Sequence, residues 1–505
     1  MREIITLQLG SIANHVGTHF WNAQEEYFSR STEKDEIDHQ VLYRQGETAN
    51  GEATYAPRTL IYDLKGGFGS MQKYNKLFGG DLAGEEEPGI LWEQGIHRIN
   101  RSLSKSKYQQ ELDRMELEND VCMDPDVLDQ LNDSVNNWSD YNRIYYHPRS
   151  INPIVTHQMD NEITPFDNFT IGRQAYVENE KETETFEENF RFFVEECDSL
   201  QGFQLFTDVD DGFGGFTEGL LNNIRDEFAK TPILTYGLSD SFAQHRTERH
   251  KQKIMLNRSL SLTRLSELSS LYVPIYTPTL KSVQQSGLAS FLKFNELSRY
   301  HTSAIIAAAI ETNSLPYRLK QNPITLADTI GKLNWARNTN LASLSVCLPL
   351  PISKQGYHHT LSLLNQPKQL LPIMPLLSRL EKEDKVIYGE VVVARGLSNK
   401  MQQQEPYLEA LYTNFKDGND PLQSRYSLES TLPLPDSFPR IFQQFDQEGL
   451  LDPSIGQEIV PEEIPSLVHL SSGTQLKATI DQHIRHLQQT HLKDFWEYTQ
   501  GEFMI

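Results

Sequence analysis

The sequence predicts an α/β protein whose N-terminal half forms a Rossmann-like, doubly wound and mostly parallel sheet, followed by a second α/β domain and C-terminal helices. Short strand-like runs alternate with amphipathic helical patterns, as is typical of parallel sheets covered by helices on both faces. Glycines stand where strands give way to helices. The 505 residues also exceed the size of one ordinary core. We therefore expect three regions, at residues 1–265, 266–440 and 441–505.

The first predicted element is a strand at residues 4–9, which Gly10 ends. Ser11 then stands at the position of a helix cap. The helix that follows carries large apolar residues on one face, including Phe20 and Trp21. This order of strand, turn and helix is the start expected of a doubly wound sheet.

A second strand is predicted in the run PRTLIYDL at residues 57–64, and Gly66 follows it closely. Residues 79–135 are rich in charge and glycine, and we interpret them as an insertion or a lengthened loop-and-helix region. Within it, residues 108–117 have the composition of a charged helix.

Three further elements complete the N-terminal half. Residues 181–200 predict one amphipathic helix with phenylalanines at a helical period. The strand-like run GFQLFTDV at residues 202–209 leads into the glycine-rich turn DDGFGGF, and a helix begins near Thr217. Residues 232–238 read as the next strand.

The second half contains apolar segments that suit strands or buried helices, at residues 272–276, 303–310, 342–352 and 385–397. Residues 478–499 predict a terminal amphipathic helix.

Charge and composition exclude several function classes. Acidic residues outnumber basic ones by 69 to 46, which gives a formal net charge of -23 and repels phosphate backbones and anionic lipids. We therefore expect no direct contact with nucleic acid. The three cysteines show neither a disulfide framework nor zinc spacing, and we expect no metal site. The longest apolar run, at residues 304–310, is too short to span a bilayer, so we expect no transmembrane segment.

Several blocks of the sequence match tubulin in order and spacing. They are Met1-Arg2-Glu3-Ile4, Gln8, Gly10, Asn14, Gly17, Phe20-Trp21, Pro57-Arg58, Asp63-Leu64, Asn136-Asn137-Trp138, Cys197-Asp198, the run 200–205 and Ile224-Arg225-Asp226-Glu227. On these residues the chain resembles tubulin. Its long loops and the segment DDGFGGFTEGLLNNIRDE resemble the Misato branch of that superfamily, fungal members in particular. The resemblance implies a tubulin-like version of the predicted fold.

The resemblance also implies a function. Fungal Misato proteins are linked to mitochondrial partitioning and mitochondrial DNA inheritance, and animal members to mitochondrial shape and chromosome segregation. It implies peripheral mitochondrial association together with a cytoplasmic pool, and protein partners that are cytoskeletal or belong to a chaperonin.

The residues that align with the nucleotide pocket of tubulin form a degenerate candidate site. They are Gly10, Ser11, Asp63, Lys65, Gly66, Asn136, Asp210, Asp211, Gly212 and Gly214. Where tubulin has GGGTGSG, this chain has DDGFGGF, so two carboxylates and two aromatic rings replace bare backbone. We expect that GTP binding is lost, and we assign no catalytic residue.

Some residues of this site leave alternatives open. Lys65 replaces an acid of the family loop, and it either pairs with Asp210 or Asp211 or is an independent solvated charge. The glycines after Asp211 either form an anion nest or only permit a tight turn between strand and helix. Asn136 and Asn137 either lie beside the phosphates or cap a helix, and Trp138 either stacks on a ligand or belongs to the core.

The leading functional hypothesis is a non-enzymatic tubulin-like protein that acts in mitochondrial distribution and inheritance through protein partners. A GTP-binding, filament-forming GTPase is one alternative, and binding of labelled GTP would favour it. A cytosolic assembly factor for tubulin is the other, and co-purification with tubulin or a chaperonin would favour it.

Overall fold

The structure is a computed structural model, and it describes residues 2–29, 36–47, 53–71, 105–117, 123–242, 247–335, 339–364, 370–374, 386–402, 411–412, 422–454, 460–490 and 494–498. Most of the predicted insertion at residues 79–135 lies outside these ranges, but its helical part is described. Within the described ranges, none of the helices combines the length and apolar character needed to cross a bilayer.

The strands of the described chain are β1 (Glu3–Leu9), β2 (Tyr43–Glu47), β3 (Ala53–Pro57), β4 (Thr59–Lys65), β5 (Ile151–Gln158), β6 (Leu200–Asp208), β7 (Ile233–Ser239), β8 (Leu271–Tyr276), β9 (Ser343–Cys347), β10 (Leu371–Pro372), β11 (Ile387–Arg395), β12 (Leu422–Leu428), β13 (Leu432–Pro433), β14 (Glu463–Ile464) and β15 (Ser466–Gly473).

The helices of the described chain are α1 (Ser11–Ser29), α2 (Lys107–Leu117), α3 (Pro125–Ser134), α4 (Phe169–Thr183), α5 (Arg191–Glu195), α6 (Phe213–Glu227), α7 (Glu248–Leu268), α8 (Leu280–Ser286), α9 (Arg299–Ser314), α10 (Leu326–Leu333), α11 (Tyr357–Leu364), α12 (Asn399–Gln402) and α13 (Lys477–Gln489).

The N-terminal sheet has the strand order β5-β4-β1-β6-β7-β8, and every pair in it is parallel. This order is that of a doubly wound Rossmann fold, so the predicted fold class is confirmed. The chain adds β4 and β5 on one side of β1 and then β6 to β8 on the other. The direction of winding therefore reverses between β1 and β6, where this class of sheet opens a crevice at the carboxyl ends of its strands.

Most predicted elements of this half are confirmed. The first strand and helix are β1 and α1, the charged helix of the insertion is α2, and the strand at residues 232–238 is β7. The single helix predicted at residues 181–200 is wrong, because Glu184 adopts a left-handed conformation at φ +47° and ends α4. A π-helical turn at Phe186–Phe190 and the short α5 follow, and they still bury the predicted phenylalanines.

The second sheet has the order β10-β9-β15-β11-β12, with β11 and β12 parallel and the other pairs antiparallel. A boundary at residue 265 would separate β8 from its partner β7, and one at 440 would remove β15 from the centre of the second sheet. Both predicted boundaries therefore need correction, because sheet pairing crosses them. The terminal helix predicted at residues 478–499 is confirmed only in its first part, because α13 ends at Gln489 and Trp496–Tyr498 form a separate 3-10 helix.

Helix α9 joins the two halves, since it packs against α1 on one side and against β9, β11 and β15 on the other. Almost all of its side chains are buried. At its far end the buried Glu311 pairs with the guanidiniums of Arg318 and Arg395 and accepts a hydrogen bond from the Tyr27 hydroxyl. Burial opposes ionisation of this carboxyl, but the two guanidiniums prevail and hold the pKa of Glu311 below its usual value.

Candidate functional site

The candidate site lies at the carboxyl ends of β1, β4 and β6, at the crevice where the winding of the sheet reverses. Each of these strands ends in or near a residue of the predicted pocket. Gly10 follows β1, Asp63 lies near the end of β4, and Asp208 ends β6. Loops from three strands therefore meet beside the N-terminus of α1.

The carboxylate of Asp208 caps the N-terminus of α1. Its two oxygens accept hydrogen bonds from the backbone N–H groups of Ile12, at 2.9 Å, and Ala13, at 2.8 Å. Gly10 makes this approach possible, because a Cβ added there would lie 2.5 Å from the Asp208 Cγ. Its φ of +108° also favours glycine. The free N–H groups and the positive dipole of a helix N-terminus form an anion site, and here a side chain of the same chain fills it.

Asp63 fastens the neighbouring loops together. One of its oxygens accepts hydrogen bonds from the Asn14 amide, at 2.9 Å, and the Trp138 indole N–H, at 3.0 Å. The other accepts from the backbone N–H of Leu64 at 2.8 Å. Burial raises the pKa of this carboxyl, and the hydrogen bonds oppose the rise. Trp138 is fully buried, so the core alternative for this residue is correct.

Asp210 forms an ion pair with Arg258 of α7. Its oxygens accept from Nε at 2.7 Å and from Nη2 at 2.9 Å, and one of them also accepts from the backbone N–H of Asp240. Lys65 lies exposed at the end of β4, and no ion pair joins it to either aspartate of the turn. The proposed pairing of Lys65 is therefore wrong, because the arginine of α7 occupies the carboxylate of Asp210.

Asp211 faces the same crevice, where it accepts a hydrogen bond from the backbone N–H of Phe213 at 2.9 Å. Burial raises its pKa to about 7, the hydrogen bond from Phe213 opposes the rise, and the charge of Asp210 adds to it. Arg299, the first residue of α9, donates to the Ser11 hydroxyl at 2.9 Å. Its guanidinium favours ionisation of both Asp208 and Asp211, yet burial outweighs it and their pKa values stay raised.

The glycines of the turn serve helix packing. Gly212 precedes α6 with an ordinary φ of −67°. A Cβ on Gly215 would lie 1.8 Å from the Phe169 carbonyl oxygen of α4, and one on Gly214 would lie 2.1 Å from the Ser261 hydroxyl. The glycines therefore allow α6 to approach α4 and α7 closely. This packing role differs from both predicted alternatives, the anion nest and the tight turn.

The aromatic residues of the same segment point into the core. Phe213 and Phe216 are buried, and they pack against Phe166 and Tyr62 respectively. The expectation that they add bulk to the pocket is wrong, because the first turn of α6 directs them under the sheet.

The remaining predicted residues lie at the margin of the site. Gly66 forms a turn after β4 with φ +94°. Asn136 is exposed, and its backbone N–H donates to the Asp140 carboxylate at 2.9 Å. Asn137 begins the 3-10 helix Trp138–Tyr141, whose first turn Asp140 also stabilises. The capping alternative therefore describes this segment.

These residues do not fit a nucleoside triphosphate. The anion site at the start of α1 holds the Asp208 side chain, and the buried Asp63 and half-buried Asp211 also lie at the crevice. A phosphate charge about 4 Å from any of these acids that is ionised costs roughly 4 kcal/mol at an effective dielectric constant near 20, and the N–H groups that would bind the phosphate already have a side-chain acceptor. Nor does any group of three His, Cys, Asp or Glu side chains in the described chain have an arrangement suited to a metal ion.

The sequence reasoning missed Asp208 and Arg258. Asp208 is the last residue of the strand that precedes the glycine-rich turn, and that position faces the helix after the neighbouring parallel strand. An acid there was a signal that could have found the cap. Arg258 is distant in sequence, and nothing local links it to Asp210.

Comparisons with known proteins agree with the tubulin-like fold. Residues 2–114 match the family model of the Misato Segment II tubulin-like domain, and residues 128–319 match a tubulin domain. The chain is 39% identical to Protein DML1 of Gibberella zeae over 69% of this chain and 68% of that protein. It is 33% identical to Protein DML1 of Phaeosphaeria nodorum over 87% of this chain and 86% of that protein. It is also 27% identical to misato homolog 1 of Mus musculus over 95% of this chain and 90% of that protein.

Proposed function

Because the chain belongs to the Misato/DML1 family of tubulin-like proteins, we propose that it acts without nucleotide chemistry, as a protein-binding factor in mitochondrial distribution and mitochondrial DNA inheritance. It works in the cytoplasm and at the outer face of mitochondria, where it associates peripherally. Its partners are proteins, cytoskeletal or chaperonin components among them.

One observation carries the non-enzymatic part of this proposal: the Asp208 carboxylate at the N-terminus of α1. A triphosphate needs those same N–H groups, and it would have to displace a buried acid that two backbone bonds hold in place. The crevice supplies little compensation, because Arg299 is exposed and already contacts Ser11.

The mitochondrial part is supported by family membership and by charge. The formal net charge of -23 repels nucleic acid and anionic lipid, so an effect on mitochondrial DNA would pass through protein partners.

Equilibrium binding of labelled GTP with magnesium, using purified tubulin as the positive control, tests the first part. We expect no saturable binding at micromolar nucleotide. Micromolar affinity, or guanine nucleotide retained through purification, would favour the alternative of a working GTPase.

Replacement in cells tests the second part. Ser11→Asp adds a carboxylate at the mouth of the crevice, where Arg299 would pair with it and the helix dipole would stabilise it. This change further repels phosphate while preserving the fold. We expect the variant to restore mitochondrial distribution and mitochondrial DNA retention as well as the native chain does. Failure of a well-expressed Ser11→Asp protein, with rescue by the native chain, would indicate that the crevice must receive an anion.

A further inference from the structure

Three consecutive residues of α7 connect the C-terminal region of the chain to the turn that carries Asp210. They are Asn257, Arg258 and Ser259, and all three are buried. Arg258 pairs with the Asp210 carboxylate, whereas its two neighbours contact segment 494–498 and helix α13. One stretch of α7 therefore contacts both the crevice and the C-terminal region. No step of the proposed function uses this connection.

The side chain of Asn257 joins four parts of the chain. Its amide N–H₂ donates to the backbone carbonyls of Asp167, at 2.9 Å, and Asp210, at 2.8 Å. Its oxygen accepts from the backbone N–H of Phe169, at 3.0 Å, and from the Tyr498 hydroxyl, at 2.7 Å. An asparagine amide has two N–H donors and an oxygen that accepts two bonds, so all four positions are used. The Tyr498 hydroxyl therefore helps to fix the amide that holds the backbone of Asp210.

Segment 494–498 is docked on α4 and α7 by few side chains. Its buried cluster consists of Phe169, Leu256, Phe495 and Tyr498. At its edge, Glu497 pairs with Lys253 of α7 at 3.2 Å. Segments with few buried apolar contacts open locally while the rest of a chain stays folded, so docking of this segment is an equilibrium of its own.

Helix α13 contacts the same stretch of α7. The Nδ1 atom of His483 lies 2.9 Å from the Ser259 hydroxyl, within hydrogen-bond distance. Burial lowers the pKa of His483 to about 4, and the positive charge of Arg258 adds to the fall. The guanidinium that holds Asp210 is therefore close enough to α13 to act on its buried histidine.

We propose that residues 257–259 of α7 form a relay that couples docking of segment 494–498 to the position of Asp210 at the crevice. With the segment docked, Tyr498 fixes the Asn257 amide, and that amide holds the Asp210 carbonyl while Arg258 holds its carboxylate. When the segment opens, the amide loses one of its four bonds and the turn loosens. Coupling between two sites is reciprocal, so a disturbance at Asp210 loosens the segment in turn. A protein that binds residues 494–498 would thereby change the crevice without contacting it, whichever ligand the crevice receives.

Hydrogen exchange in full-length Tyr498→Phe tests the relay, because this change removes the hydroxyl and keeps the ring. Two amides report on the turn: Gly212 N–H donates to the Phe166 carbonyl at 3.2 Å, and Asp240 N–H donates to the Asp210 carboxylate at 2.8 Å. Both should exchange roughly fivefold faster or more, while exchange in β11 and β15 stays unchanged. Unchanged rates at both amides, or equal acceleration in the second sheet, would overturn the proposal.

Tyr412→Phe is the matched control. The Tyr412 hydroxyl is also buried, and it shares one hydrogen bond of 2.8 Å with Ser427 at the edge of the second sheet. The same chemical change at this distant place should leave exchange of Gly212 and Asp240 as it is in the native chain. Acceleration of these two amides as large as in Tyr498→Phe would show that loss of any buried hydroxyl has this effect, and the relay would be refuted.

The reverse experiment starts at the crevice. The Tyr498 backbone N–H donates to the Phe495 carbonyl at 3.0 Å, so its exchange reports opening of the segment. Asp210→Asn weakens the hold of Arg258 on the turn and should accelerate this exchange roughly fivefold or more. In the double variant Tyr498→Phe with Asp210→Asn, exchange of Gly212 should accelerate by less than the product of the two single effects, since both changes break one relay. A full product, or no effect of Asp210→Asn on the Tyr498 amide, would refute the coupling.

Discussion

Removal of the Asp208 carboxylate should loosen the N-terminus of α1. In Asp208→Ala the N–H groups of Ile12 and Ala13 lose their acceptors in a buried place. A buried donor left unsatisfied costs about 1–3 kcal/mol, and loss of a helix cap typically costs about 1 kcal/mol. Relief of the burial cost of the carboxylate, and of its repulsion by Asp211, offsets part of this. We expect a net local loss of about 1–3 kcal/mol.

Hydrogen exchange of the backbone amides at the start of α1 measures this loss directly, since a chain with two sheets need not unfold in one step. Exchange of Ile12 and Ala13 should accelerate by roughly 5- to 150-fold, while exchange in β11 and β15 stays unchanged.

An added anion supplies the decisive comparison. Asp208→Ala leaves space at a helix N-terminus, so sulfate at matched ionic strength should slow exchange again in this variant more than in the native chain. Asp208→Asn keeps the volume but presents an amide N–H₂ to one backbone donor, so it should exchange fast and gain little from sulfate. Native-like protection in Asp208→Ala without sulfate would refute the capping role.

Three further predictions concern stability near the site, each measured by denaturant unfolding followed with a probe of the N-terminal sheet. The folded pKa of Asp211 is about 7, which lies above its unfolded value. The free energy of unfolding of the native chain should therefore fall by up to about 1.4 kcal/mol per pH unit as pH rises from 4 to 7. Asp211→Asn should lack this contribution, and parallel pH profiles of the two chains would contradict it. Gly215→Ala should lower the free energy of unfolding by about 3 kcal/mol, because the new Cβ meets a carbonyl oxygen of α4. Gly331→Ala in α10 is the control: its Cβ meets no neighbouring atom, so it should raise the free energy of unfolding by about 0.5–1 kcal/mol. Similar effects of the two substitutions would refute the packing role of Gly215. Arg258→Met should lower the free energy of unfolding by about 3–5 kcal/mol, because it leaves the charge of Asp210 without its guanidinium. The double variant with Asp210→Asn should recover much of that loss. Additive losses from the two substitutions would argue against the ion pair.

The parallel sheet could be predicted from the sequence because its signals are local. The run at β1, the break at Gly10 and the apolar face of α1 lie within about twenty residues, and each has one structural interpretation. Strand β15 was missed for the opposite reason. Its sequence SLVHLSSG is short and polar in part, and it becomes a strand through pairing with β9 and β11, which lie far away along the chain.

The candidate site divides in the same way. Gly10, Asp63, Asp210 and Asp211 were found because they stand in short segments with a known pattern, whereas the capping Asp208 was missed. The partner of Asp210 was misassigned to Lys65, since the true partner, Arg258, reaches the loop from α7. The Gly215 contact likewise depends on where α4 lies relative to α6, which no local pattern specifies.

The carboxylate at the head of α1 also changes what this fold depends on. A dissolved ligand stabilises a protein according to its concentration, so a tubulin-like fold that needed guanine nucleotide would weaken whenever the cell ran short of it. Here the acidic group belongs to the chain itself, so it is in place whenever β6 has formed. The junction between β1 and β6 can therefore form equally well at low and at high concentrations of guanine nucleotide.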